Sequence, residues 1–450
     1  MLGEFLAQTP TGVAETLETV AAFDEALTHG FGRLSEARQA ALTGLAGAFG
    51  ATPLGERLAE AAAKIVAGSP GDDHVAALAG GRSAALGAVH DALLTGLDTA
   101  LGRDRAQWEP SPAPDAAGEN LLSGVRTWLV ELAVAGWRGV TEDLVSSADP
   151  LIEGLLAEPG RRRLAVLLDG FAAELRASSP LLTLPQLPVR RWADLWSRAM
   201  LLAQPGLPAH AAGQPVSGRF LPLGVDLHEH PTALQAQVHG VLETGGAARL
   251  VRVSVSAAKV DTITGAAVWR LLRGHTQLLA ALAERRSLDL TGMTLLGSGD
   301  LIWDEAHATA GGPADPFATA RVQLRQASAA PVPPLERHPV RLAEPVFLEA
   351  YQFAADGPLT VDTDRISAAS PITAELAASA SAMIGLLRWD AGRWLVQPLA
   401  VETTVKKKPV AVHSGDWAMG PSDPKAAKAE AAAGDAVGVL RERAGRLLRK

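Results

Sequence analysis

The chain of 450 residues contains no cysteine, which excludes disulfides, zinc–thiolate sites, iron–sulfur clusters and thiol nucleophiles. No uninterrupted apolar segment reaches the ~20 residues needed to span a bilayer. Met1-Leu2-Gly3-Glu4 lacks the basic n-region and apolar stretch of a secretory signal, so no membrane association and a cytoplasmic location are expected. Phosphate cradles are missing too: neither Gly-x-x-x-x-Gly-Lys-Ser/Thr nor a Gly-x-Gly-x-x-Gly after a strand occurs. Nor is there a Gly-x-Ser-x-Gly elbow, and Ser298 sits between two glycines at a strand-to-strand turn, where a hairpin explains it. No cofactor is expected, and an enzymatic role ranks below a binding role. The formal net charge of -8 supplies no overall field toward a phosphate backbone, so any nucleic-acid contact would be local.

What is present is a globular balance, 48% hydrophobic and 20% charged, in a chain long enough for several cores. From Thr11 to about Ala106 apolar residues recur at helical spacing, as in Val13, Leu17, Val20, Phe23 and Leu27. A long helix is predicted after Asp72 and Asp73, burying Val75, Leu78, Leu86, Val89, Leu93 and Leu97. Thr52-Pro53 and Asp149-Pro150 read as N-caps followed by a proline at the first helical position. The stretch Trp108 to Pro114 cannot continue a helix and reads as a linker. A second helical group follows, ending in a helix with Trp192 and Trp196.

Past Pro205 the period changes from 3.6 to 2. Val225 and Leu227 alternate with Asp226, His228 and His230; Leu234, Ala236 and Val238 alternate with Gln235, Gln237 and His239; Val251, Val253 and Val255 follow the same rhythm. This predicts a three-stranded antiparallel meander with one buried and one wet face, covered by a helix from about Thr264 to Arg285. Strands over Leu288 to Leu296 and Asp300 to Trp303 are expected next. A last β region, about Val340 to Val405, contains a hairpin turn at Asp390-Ala391-Gly392-Arg393, with Arg388 and Arg393 placed for cation–π contact with Trp389 and Trp394. The fold class is α+β: helical subdomains at 1–106 and 116–204, an antiparallel β domain with one long helix at 215–328, a small β region at 335–405 and a basic amphipathic helix at 422–450.

Three features bear on chemistry. Alternate strand residues share a face, so Asp226, His228 and His230, with His239 on the neighbouring strand, form a candidate metal site; the same alternation is expected of any solvated sheet face. Asp362 and Asp364 offer two carboxylates in a turn-rich segment, a common surface arrangement. Lys406-Lys407-Lys408 and the basic last helix could neutralise phosphates, though lysines at a strand end also discourage edge pairing.

Several segments, among them Phe220-Leu221-Pro222-Leu223-Gly224-Val225-Asp226, Arg337-His338-Pro339-Val340, Glu344-Pro345-Val346-Phe347-Leu348-Glu349-Ala350-Tyr351 and Arg393-Trp394-Leu395-Val396-Gln397-Pro398-Leu399, resemble an uncharacterised group of actinobacterial proteins. That group is encoded beside MoxR-type AAA+ ATPases, von Willebrand A-domain proteins and SWIM zinc-finger proteins. The resemblance covers the C-terminal half and implies a protein partner, a MoxR-type AAA+ ATPase or a von Willebrand A-domain protein. The expectation is therefore a non-enzymatic scaffold or adaptor. The alternatives are nucleic-acid binding through an OB-like β domain and a metal-dependent enzyme using Asp226, His228, His230 and His239.

Overall fold

The computed structural model describes residues 2–110, 119–206, 213–351, 353, 357–405 and 408–421, with 424, 427, 428, 437–439, 442 and 443. Its class is α+β, helices first and sheets after. The helices are α1 (Leu2–Leu6), α2 (Val13–His29), α3 (Glu36–Gly47), α4 (Gly55–Val66), α5 (Asp72–Leu101), α6 (Glu119–Ala135), α7 (Glu142–Ser146), α8 (Asp149–Ala157), α9 (Arg162–Ala177) and α10 (Val189–Leu202). The 30 residues of α5 rise about 45 Å, and all six of its expected core residues are buried. It ends where Gly102 takes the left-handed conformation, φ 63°, that glycine enters without a Cβ penalty.

Two caps fall elsewhere than expected. Thr52 does accept the Leu54 amide, but α4 begins only at Gly55. Ala148, not Asp149, precedes α8, and Asp149 pairs with Arg176 instead. The two helical groups also share one apolar cluster running from Val20 to Ala203, with Trp128, Trp137, Phe171, Trp192 and Trp196 inside it. The linker between them lies partly outside the described residues.

The predicted meander is β1 (Gln214–Glu229), β2 (Ala233–Thr244) and β3 (Ala247–Ala258), followed by β4 (Arg286–Leu295), β5 (Asp300–Ile302) and β6 (Ala308–Pro313). It is not an open sheet. β3 pairs with β5 in parallel, β5 with β4, and β4 returns to β1, so five strands close into a barrel in the order β1-β2-β3-β5-β4. The expected single covering helix is two pieces, a 3-10 turn over Gly265–Leu272 and α11 (Thr276–Glu284). Gly274 weakens the helix between them, and the Trp269 indole is held by Ala369 O at 2.9 Å. After the barrel come α12 (Pro316–Val322) and a second sheet of β7 (Glu344–Glu349), β8 (Leu359–Val361), β9 (Ala382–Asp390), β10 (Arg393–Val405) and β11 (Lys408–His413), with α13 (Ala374–Ala378) between β8 and β9. The last β region therefore runs beyond Val405.

Both faces of the β9–β10 ribbon are covered. Ile384, Leu386 and Leu399 meet Leu221, Leu223 and Val241 on the outer barrel wall. On the other face Leu387, Trp389, Trp394 and Val396 meet Val89, Leu93 and Leu97 of α5, and Phe5 of α1 packs on Trp394 with ring centroids 5.4 Å apart. Gly224 permits the close approach, since a Cβ there would lie 2.7 Å from that of Leu399. At the ribbon's tip Ala391 and Gly392 both have positive φ, 47° and 79°, as a two-residue primed turn requires. Trp389 and Trp394 face each other across it at 5.0 Å; the expected pairing of Arg388 with tryptophan gives way, because Arg388 turns to a carboxylate on the barrel.

The helical and β portions are also joined by charge. Glu344 of β7 is reached by Arg103 at 2.9 Å and Arg105 at 2.8 Å, both from just beyond α5. Of the expected terminal helix at 422–450 most lies outside the described residues, as do Lys406 and Lys407; Val437 is buried within the barrel cluster. Among the described residues no helix is long and apolar enough to cross a membrane. Substituting Glu344→Ala leaves the Arg103 guanidinium buried without its carboxylate and should lower the unfolding free energy by about 3–5 kcal/mol in a denaturant titration. A loss below about 1 kcal/mol would show that the join does not depend on it.

Candidate functional site

The register of β1 against β2 shifts between Pro222 and Gly224. A bulge of this kind exchanges the two faces of a strand. Before it, Leu221 and Leu223 point outward; after it, Val225 and Leu227 enter the barrel core and Asp226 and His228 take the outer wall. That wall is the one the ribbon covers, so Asp226 is only 2% exposed instead of wet as its alternation suggested.

Asp226 is satisfied from the opposite sheet. Its Oδ2 accepts from Arg388 Nη2 at 2.7 Å, its Oδ1 from Gln397 Nε2 at 2.6 Å, and Arg388 Nε donates to Gln397 Oε1 at 2.8 Å. His228 Nε2 lies 2.9 Å from the same Oδ2, on a side chain 42% exposed. Burial alone would raise the Asp226 pKa, but the His228 hydrogen bond, the Arg388 charge and the Gln397 amide outweigh it and hold the carboxyl well below the usual range.

The structure brings together Asp226 and His228 but not the other two metal candidates. His239 is buried on β2 with Nε2 unpartnered, its pKa pushed down to about 3 by burial and by the charge of Arg252. His230 lies in the β1–β2 turn, where its Nδ1 is 3.1 Å from Thr232 Oγ1. Alternate strand residues stand about 6.6 Å apart, too far for three successive ones to share an ion, and both Asp226 oxygens are already engaged. Among the described residues no group of three or more His, Asp or Glu could hold a metal.

Beside Arg388 opens a cleft of ≈ 470 Å³ between the segment Val361 to Arg365 and the β9–β10 tip. Asp362 is 9% exposed; burial raises its pKa, against the Arg365 charge, whose Nε is 3.3 Å from Oδ2. Asp390 at the rim is met by Arg190 of α10 at 3.4 Å, so the helical portion reaches the same opening. Asp364 and Arg393 are exposed. Three guanidiniums in the lining, Arg365, Arg388 and Arg393, oppose a divalent cation on Asp362 and Asp364 and leave a wall of mixed sign.

The chain matches no known protein-family model, no curated protein and no solved structure. Its chemistry is thus read from geometry. The cleft sets carboxylates beside guanidiniums, a surface for charge-assisted hydrogen bonds to a ligand that itself carries both signs. Sequence reasoning missed Arg388 and Gln397 as members of the Asp226 cluster. Their signal is a polar side chain inside an apolar strand, Leu386-Leu387-Arg388-Trp389 and Val396-Gln397-Pro398, which stays buried only with a partner.

Substituting Asp226→Ala strands the Arg388 guanidinium and should cost about 3–5 kcal/mol, whereas His228→Ala, at a half-exposed pair, should cost less than about 1 kcal/mol, both read by chemical unfolding. Equal losses would contradict the clamp. His239 and His413 are both buried with pKa values near 3, so the unfolded chain binds more protons between that value and about 6.5. Stability should be complete above pH 6.5 and fall as pH drops toward 3, by up to about 1.4 kcal/mol per pH unit for each imidazole. In His413→Gln that acid slope should be shallower across the same window.

Proposed function

We propose that the protein is a non-enzymatic scaffold or adaptor, resident in the cytoplasm, that recognises a protein partner through the mixed-charge cleft at the β9–β10 tip. The observation that carries this reading is the commitment of both Asp226 oxygens to Arg388 and Gln397. The carboxylate nearest to a catalytic constellation is thereby a fastener between two sheets and a support for the cleft floor. The resemblance noted in the sequence favours a MoxR-type AAA+ ATPase or a von Willebrand A-domain protein as partner. A segment with alternating acidic and basic side chains would complement Asp364 and Arg393 on the rim.

The second reading, nucleic-acid binding, draws on the barrel topology, since OB barrels use the outer face of their second and third strands. Against it, the ribbon already covers part of that face, and the remainder offers Gln235, Gln237, Ser254 and Ser256 without the aromatic side chains on which bases stack.

Affinity purification from native cells should return a stoichiometric partner with the wild-type chain and lose it with the rim variant Asp364→Arg/Arg393→Glu, whose far-UV spectrum and melting temperature stay unchanged. A purified chain that forms no complex and turns over a small molecule would end the adaptor reading. For the second reading, salt-sensitive anisotropy changes with a labelled single strand, abolished by Arg252→Glu, would be required.

A further inference from the structure

One face of the β9–β10 ribbon sets its polar residues side by side at the tip. Leu395 pairs with Arg388 and Arg393 with Asp390, so Arg388 and Arg393 are diagonal neighbours on that face, with Cα atoms roughly 7–8 Å apart. Two arginine side chains at this spacing can meet on a single group. Both line the cleft, as do Asp364 and the apolar side chains of Val340, Val361 and Leu395.

Arg388 is only 6% exposed, yet most of its donors are unused. A guanidinium has five N–H groups. Nε donates to Gln397 and Nη2 to Asp226, and no other described side chain takes the rest. The Asp226 clamp therefore fixes a planar fork at the cleft wall and leaves part of it open. Nearer the rim, Arg393 and Asp364 are exposed and make no hydrogen bond or ion pair with any described residue. Asp362 and Asp390 differ from them, being met by Arg365 and Arg190. Between the two arginines and Asp364 the half-buried Val340, Val361 and Leu395 supply an apolar lining.

We propose that the cleft receives the free carboxyl terminus of a polypeptide: its α-carboxylate on Arg388 and Arg393, an aliphatic last side chain against Val340, Val361 and Leu395, and a basic side chain two residues upstream on Asp364. This inference rests on the adaptor reading and narrows the segment recognised. A carboxylate takes two parallel N–H bonds from a guanidinium, and a fork already held in place gives up little freedom in making them. The cleft's ≈ 470 Å³ is the size of a site for a small ligand, about 300–1,000 Å³. A chain end enters such a space with one length of backbone behind it, whereas an internal acidic residue brings two. Capture of a terminal carboxylate is a recurring mode of peptide recognition.

The test is fluorescence anisotropy of the full chain with a fluorescein-labelled hexapeptide, Gly-Ser-Gly-Lys-Ser-Leu, as the free acid and as its C-terminal amide. The free acid should bind saturably and the amide at least about tenfold more weakly. Arg393→Gln, at an exposed side chain without partners, should weaken the free acid about tenfold and leave the amide unchanged. Asp364→Asn should weaken this peptide but not its counterpart with Ser in place of Lys. No saturable binding by the folded wild-type chain, or equal binding of acid and amide, overturns the proposal. So does N-acetyl-leucine competing as well as the hexapeptide, which would assign the site to a small carboxylate metabolite. A partner that still co-purifies in excess hexapeptide removes this inference and leaves the adaptor reading standing; terminus-dependent peptide binding with no partner in cells supports the site and removes the adaptor reading.

Discussion

The β9–β10 ribbon has no wet face, and the architecture hangs on that constraint. One side of it is a wall of the barrel contact, through Ile384, Leu386 and Leu399; the other seats α5 and α1, through Leu387, Trp389, Trp394 and Val396. Two strands buried on both sides read as continuous apolar runs, and β9 is buried from Ala382 through Trp389. Neither the helical portion nor the barrel can leave without exposing one of these faces to water, which is why a chain of this length holds together as a layered body in place of separate beads.

Charged groups inside such a seam cost least when they satisfy one another. Asp226, Arg388 and Gln397 satisfy one another across the barrel–ribbon contact, and Glu344 is matched by Arg103 and Arg105 across the contact with α5. Ion pairs of this kind add little net stability over an apolar alternative. Their effect is on registration: a ribbon slipped by one residue would turn Arg388 to the opposite face, toward Val89, Leu93 and Leu97 of α5, with nothing to receive its charge. The same clamp exposes the far edge of Arg388 to the cleft, so packing and recognition share a side chain.

Side-chain rhythm in the sequence determined the elements: the helices of the first half, the three-stranded meander, the β4–β5 hairpin at Gly297-Ser298-Gly299 and the turn at Ala391-Gly392 each follow from local spacing and backbone preference. It could not determine which polar face would be wet, because alternation identifies two faces and says nothing of what covers the second. Tertiary structure alone decided that a bulge at Pro222 to Gly224 turns Asp226 outward, that the ribbon then buries it, and that His230 stays behind in a turn. The sequence offered a barrel only as one alternative; the pairing of β4 with β1 that closes it, and the contacts that seat the ribbon on it, join residues far apart in the chain and are set by packing of whole layers, which no local period encodes.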